Sequence, residues 1–135
     1  MQTVLITGGA GFIGSHTCLI LLENNFRVIV FDSFINSSKI ALKRFSKILG
    51  NKINDLNKRL YIYEGDLRDK EILKEIFEKF SKKNIPIEAV IHFAGLKAVD
   101  DSFKKPNEYW DVNVNGSLKL FKIMELYGCK KIVYS

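Results

Sequence analysis

Five short apolar runs, separated by stretches of helical periodicity, constrain this chain more than any other feature. Thr3 to Thr7, Arg27 to Phe31, Leu60 to Tyr63, Ala89 to Phe93 and Lys131 to Tyr134 are rich in β-branched and aromatic residues. Runs that are apolar without alternation belong to strands buried on both faces. Between them, Phe12 to Asn25 reads as a helix, and Ser38 to Leu49 carries a stripe of Ile40, Leu42, Phe45, Ile48 and Leu49. Lys70 to Lys83 is the clearest helix, with Ile72, Leu73, Ile76, Phe77 and Phe80 on one face and Asp69 ahead of it as N-cap. A long helix is expected from Pro106, a residue type favoured in first turns, to about Tyr127. Such alternation means a parallel sheet covered on both faces, so the expected fold is α/β, a doubly wound parallel sheet of about five strands. The 135 residues suit one domain, 1–135, with no linker or internal repeat. Lys47 to Arg59, rich in Lys and Asn, is the one candidate for a mobile loop.

The net charge of +6 could point to nucleic acid. Its distribution argues otherwise: lysines alternate with acids, as from Asp69 to Lys83, and no basic stripe or aromatic platform accompanies them. No nucleic-acid partner is expected. Cys18 and Cys129 lack metal-type spacing and read as reduced, mostly buried thiols. The N-terminus has no basic leader, and no apolar stretch approaches the roughly 20 residues needed to cross a bilayer. No membrane contact and a cytoplasmic location are expected.

The segment T-G-G-A-G-F-I-G, Thr7 to Gly14, spaces Gly8, Gly11 and Gly14 immediately after a strand and at the start of a helix. Gly8 would permit the tight turn off the strand, and Gly11 the approach of a diphosphate to bare backbone N–H groups. Gly14 would let the helix pack closely on the sheet. The helix N-terminus adds unsatisfied donors and partial positive charge. Asp32 ends the second strand, 18 residues after Gly14, where a carboxylate can accept from ribose hydroxyls. Strand, glycine turn, helix, strand and acid together predict a Rossmann domain that binds NAD. A 2′-phosphate beside Asp32 would cost several kcal/mol at about 4 Å, which disfavours NADP. The plainer reading of Asp32, an acid that starts a turn with Ser33, stays open.

The glycine spacing and strand order resemble the extended short-chain dehydrogenase/reductase superfamily. V-I-H-F-A-G-L-K-A-V from Val90 to Val99, G-D-L-R-D from Gly65 to Asp69 and N-S-S from Asn36 to Ser38 resemble the UDP-glucose 4-epimerase family, over the whole chain. The resemblance implies further NAD contacts. Phe12 and Ile13 accompany the glycines, and Asn36 and Ser37 meet the adenosine ribose and phosphate side. Asp66 accepts from the adenine amine, with Leu67 as apolar contact. Phe93, Ala94 and Gly95 let the cofactor pass, and Lys97 reaches it as a cation. Asn113 and Ser135 complete the set, with Val112 standing where the family often has a second asparagine. His92, inside an apolar strand, reads as a satisfied core histidine. Trp110, Phe121 and Met124 read as core or interface.

The resemblance also implies what the chain does not carry. The family's serine-rich segment, its Tyr-x-x-x-Lys pair and its sugar-binding domain are expected to follow Ser135. The expectation is therefore an incomplete sheet, no catalytic residue in this chain, no Tyr-x-x-x-Lys and no useful turnover, with the last strand exposing apolar surface. The full-length protein would act on a UDP-sugar as a homodimer. Another nucleotide-sugar dehydratase or decarboxylase, or a non-catalytic NAD-binding module, are the competing readings.

Overall fold

The computed structural model describes residues 1–35 and 39–135, except for the side chain at position 41. The first three strands are β1 (Thr3–Thr7), β2 (Arg27–Asp32) and β3 (Leu60–Glu64); β4 (Ala89–His92) and β5 (Lys131–Tyr134) follow. They form one parallel sheet in the order β3-β2-β1-β4-β5. Thr7 is in register with Phe31 on one side and His92 on the other. The loops leaving β1, β2 and β4 therefore start level, at one edge of the sheet.

Helices cover both faces, because successive strand residues point to opposite sides. On one face Val4, Ile6, Val28 and Val30 pack on Cys18 and Leu22 of α1 (Phe12–Glu23) and Leu42 and Leu49 of α2 (Lys39–Gly50). On the other, Leu5, Ile29, Phe31 and Val90 pack on α3 (Lys70–Lys82), through Leu73, Ile76, Phe77 and Phe80. Each such side chain, fully buried, stabilises the fold by roughly 1.5–3 kcal/mol. Asp69 caps α3, accepting from the N–H groups of Glu71 and Ile72. Arg59, almost fully buried, donates to the carbonyls of Leu22 and Phe26 and so ties the end of α1 to the start of β3.

Two local expectations need correction, and one short helix was not anticipated. The stretch from Lys47 to Arg59 is not a loop throughout: α2 runs through it to Gly50, and a 3₁₀ turn spans Leu56–Lys58. A short helix, α4 (Val99–Lys104), follows β4, too brief to show a stripe in the sequence. The long helix from Pro106 is interrupted: α5 (Pro106–Trp110) passes into a π-helical turn, Asp111–Asn115, then α6 (Gly116–Leu126). Single π turns inside helices are rare and are found frequently at functional sites. Met124 joins the core, whereas Trp110 is exposed. β5 pairs with β4 and leaves Ile132 and Val133 exposed. Both cysteines are buried and free. Burial pushes the Cys18 thiol up to about 12, which leaves it protonated and inert at neutral pH.

Candidate nucleotide cleft

A cleft of about 400 Å³ opens where the loops after β1, β2, β3 and β4 converge. In doubly wound sheets ligands bind at the carboxyl ends of the strands, where neighbouring connections run to opposite faces. Here that point lies between β1, whose helix covers one face, and β4.

The turn after β1 is made by Gly8 in a left-handed conformation (φ 73°), and a Cβ there would fall 2.7 Å from Ala94 N. A Cβ on Gly14 would fall 2.3 Å from Gly8 O. Gly14 is thus needed for the helix to close on its own turn, rather than on the sheet as the sequence suggested. Around Gly11 the space is open: a Cβ would meet only Gly8 O, at 3.4 Å. Gly11 is the N-cap of α1 and no side chain caps this end. The N–H groups of Phe12, Ile13 and Gly14 occupy the first-turn positions that lack intrahelical acceptors. All four residues line the cleft.

Asp32 is buried at the end of β2 and edges the same cleft. Its Oδ2 accepts from Ala10 N–H at 2.9 Å and its Oδ1 from Phe34 N–H at 2.8 Å. The carboxylate therefore shapes the turn, as the plainer reading has it, and also lines the cleft. Asn36 and Ser37 lie outside the described residues.

Asp66 and Leu67 line the cleft beyond β3. Asp66 is held from below by Arg68, whose Nη2 donates to Oδ2 at 2.7 Å and whose Nε donates to Oδ1 at 3.0 Å. That hydrogen bonding holds the Asp66 carboxyl below the usual carboxylate range. Arg68 also donates to Asp111 on the π-helical turn at 3.1 Å, and its carbonyl accepts from Lys119 Nζ at 2.9 Å. Arg68 lines the cleft and was not anticipated. Its position inside G-D-L-R-D was the available signal.

Phe93, Ala94, Gly95 and Lys97 line the opposite wall. Asn113 does not line it. Its Oδ1 accepts from Leu96 N–H at 2.7 Å and its Nδ2 donates to Leu96 O at 2.9 Å, so the amide grips the backbone behind the wall. Tyr109 donates to Ala98 O at 2.8 Å and pins the next turn. Ser135 also lies outside the cleft lining; its carbonyl accepts from Lys97 Nζ at 3.3 Å. Glu108 and Val112 reach the cleft from the helix side, and Ser33 and Ile35 from the turn after β2.

His92 is buried and satisfied at both nitrogens, by Thr7 at 2.5 Å and Ser117 at 2.8 Å. Burial, with Lys97 nearby, lowers its pKa to about 4, so the ring is neutral at pH 7. A Tyr-x-x-x-Lys spacing does occur, contrary to expectation, at Tyr127 and Lys131. Lys131 opens β5 opposite Ala89, at the end of the sheet away from the cleft, so this pair takes no part in it. Among the described residues no cluster of His, Cys, Asp and Glu could hold a metal ion, and no helix is long and apolar enough to cross a membrane.

A parallel sheet in this strand order, with a glycine turn feeding an uncapped helix at the switch point, defines a Rossmann-type nucleotide-binding fold. The family model described as GDP-mannose 4,6 dehydratase matches residues 5–135, and the chain belongs to that family. It is 48% identical over 134 residues to UDP-glucose 4-epimerase of Yersinia enterocolitica, covering 99% of this chain and 36% of that protein. It is 47% identical over 135 residues to UDP-glucose 4-epimerase 1 of Oryza sativa subsp. japonica, covering 100% of this chain and 36% of the relative. Among solved structures it is similar to UDP-glucose 4-epimerase from Bifidobacterium longum in complex with NAD+ and UDP. There the TM-score is 0.85 at 44% identity, over 99% of this chain and 36% of that one. The chain thus spans about a third of the length of the relatives it matches.

Proposed function

We propose that this chain is the NAD-binding domain, residues 1–135, of a UDP-glucose 4-epimerase. The observation that carries the reading is the pairing, in one cleft, of an uncapped helix N-terminus at Gly11 with the Asp32 carboxylate. First-turn N–H groups suit a diphosphate and a carboxylate suits ribose hydroxyls. The similarity to epimerases, one of them crystallised with NAD+ and UDP, supports the same choice.

In this reading the backbone of Gly11 to Gly14 holds the diphosphate and Asp32 accepts from the adenosine ribose, with Asn36 and Ser37 beside it. Asp66, kept ionised by Arg68, and Leu67 border the adenine. Ala94 and Gly95 leave room for the cofactor, and Lys97 places a cation along it. Bound NAD supplies the hydride acceptor and donor for oxidation and re-reduction at carbon 4 of the sugar. Proton transfer falls to residues outside these 135, so no turnover of UDP-galactose is expected from the chain alone. The substrate is a UDP-sugar. The exposed Trp110 of α5 and Leu118 and Phe121 of α6 supply apolar side chains suited to a homodimer contact, which light scattering of the full-length protein tests. A cytoplasmic location belongs to the same proposal, with cell fractionation as its test.

Calorimetric titration tests the central claim. NAD should bind, NADP should bind more weakly, and Asp32→Ala should weaken NAD and narrow the gap. A chain that leaves NAD unbound removes the proposal.

A further inference from the structure

The hydrogen bonds around His92 have one consistent direction. Ser117 Oγ–H donates to Asn113 O at 2.6 Å, so Ser117 Oγ is left to accept from His92 Nε2–H. A neutral imidazole protonated at Nε2 accepts at Nδ1, so the Thr7 hydroxyl donates there. Thr7 Oγ1 in turn accepts from Ala94 N–H at 3.3 Å. The line therefore runs from Ala94 in the cleft wall, through Thr7 at the end of β1 and His92 at the end of β4, to Ser117 and Asn113. Asn113 then returns to the wall by gripping Leu96. Thr7, His92 and Ser117 are all buried, and among the described residues no buried side-chain polar atom lacks a partner. A Cβ at Gly95 would lie 2.9 Å from Asn113 Oδ1, so the wall and the amide are closely fitted.

We infer that His92 and Ser117 are positioning residues for the cofactor cleft, touching no ligand but setting the Ala94–Lys97 wall through Asn113. The inference rests on the NAD-binding reading. Every bond in the line has a donor facing an acceptor only while the imidazole proton sits on Nε2. Moving that proton to Nδ1 would set two acceptors against each other at Ser117, whose single hydroxyl hydrogen is already donated to Asn113 O. Ser117 also occupies the carbonyl of Asn113, and so holds the π-helical turn in the place from which the amide reaches Leu96.

The test uses Ser117→Ala, a small truncation, beside Ser117→Thr, which keeps the hydroxyl. Nitrogen-15 spectra of the unsubstituted chain should show the His92 proton on Nε2. Ser117→Ala should weaken NAD binding about five- to tenfold and speed exchange of the Leu96 amide, since buried partners are left unpaired. Ser117→Thr should restore both. A proton found on Nδ1, unchanged NAD affinity in Ser117→Ala, or a threonine variant no better than alanine each overturns the inference. Absence of NAD binding in the unsubstituted chain would instead sink the cofactor reading, and the tautomer and Leu96 exchange would still decide whether the line exists.

Discussion

The two walls of the cleft are built on opposite plans. The glycine wall, Gly8 to Gly14, is backbone presented by one continuous segment, and its geometry is set by missing side chains. The opposite wall, Phe93 to Ala98, is held by side chains of residues distant in sequence: Asn113 on Leu96, Tyr109 on Ala98, and Thr7 on Ala94. The first plan depends chiefly on close backbone approach: it leaves no room for a Cβ at Gly8 or Gly14, and its one distant side-chain tie is Asp32 accepting from Ala10 N–H. The second depends on donors and acceptors being matched, so it responds to pH and to single polar substitutions.

The largest effect is expected on the glycine side. Gly14→Ala would set a Cβ against a backbone oxygen that cannot move without unwinding the turn. NAD binding should fall about a hundredfold or more, with overpacking of about 1–3 kcal/mol in denaturant titration. Near-normal affinity in this variant would break the contrast between the walls.

On the other wall, acid should act through His92. Its folded pKa of about 4 lies below the ordinary 6.5, so the folded state resists protonation and the unfolded state does not. The stability that His92 contributes is complete above about pH 6.5, falls as pH drops, and is gone below about pH 4. The whole shift is worth about 3 kcal/mol at most. Denaturant titrations between pH 7 and 4 should show the loss, and it should shrink in His92→Asn, which cannot titrate. An equal pH response in both proteins would rule out the histidine as its source.

A smaller cost is expected for Asn113→Ala, about 1–3 kcal/mol, from the N–H and carbonyl left unpaired at Leu96. Hydrogen exchange should locate the damage at Leu96 and leave the glycine turn protected. Exposure of both regions together would mean that the walls are one cooperative unit. Arg68→Gln should matter least, because its partners Asp66 and Asp111 are well exposed and such pairs are weak and screened. The melting temperature should fall slightly in dilute buffer and match the parent protein at high salt.

Those differences mirror what could be read from residues alone. The strands were legible because burial on both faces leaves uninterrupted apolar runs, and α3 because one face alternates with Lys and Glu. The glycine turn was legible because the residues that make it are contiguous. Arg68 and the role of Asn113 were not, because each acts through a partner that only folding brings near, and Glu108 reaches the cleft only once the helical stretch has packed beside it. Asn113 was singled out by resemblance, yet the structure places it behind the wall rather than in it. The π-helical turn was invisible because such turns are short and rare and carry no residue-type signature of their own.

The amino-acid sequence by itself determined the layered α/β fold and the anion-ready turn after the first strand, since both follow from local patterns of apolar residues and glycine. Only the tertiary structure decided how the second wall is held and which tautomer His92 takes. Hydrogen bonds between distant segments have direction and partners, and neither exists until the sheet has set Thr7, His92 and Ser117 side by side.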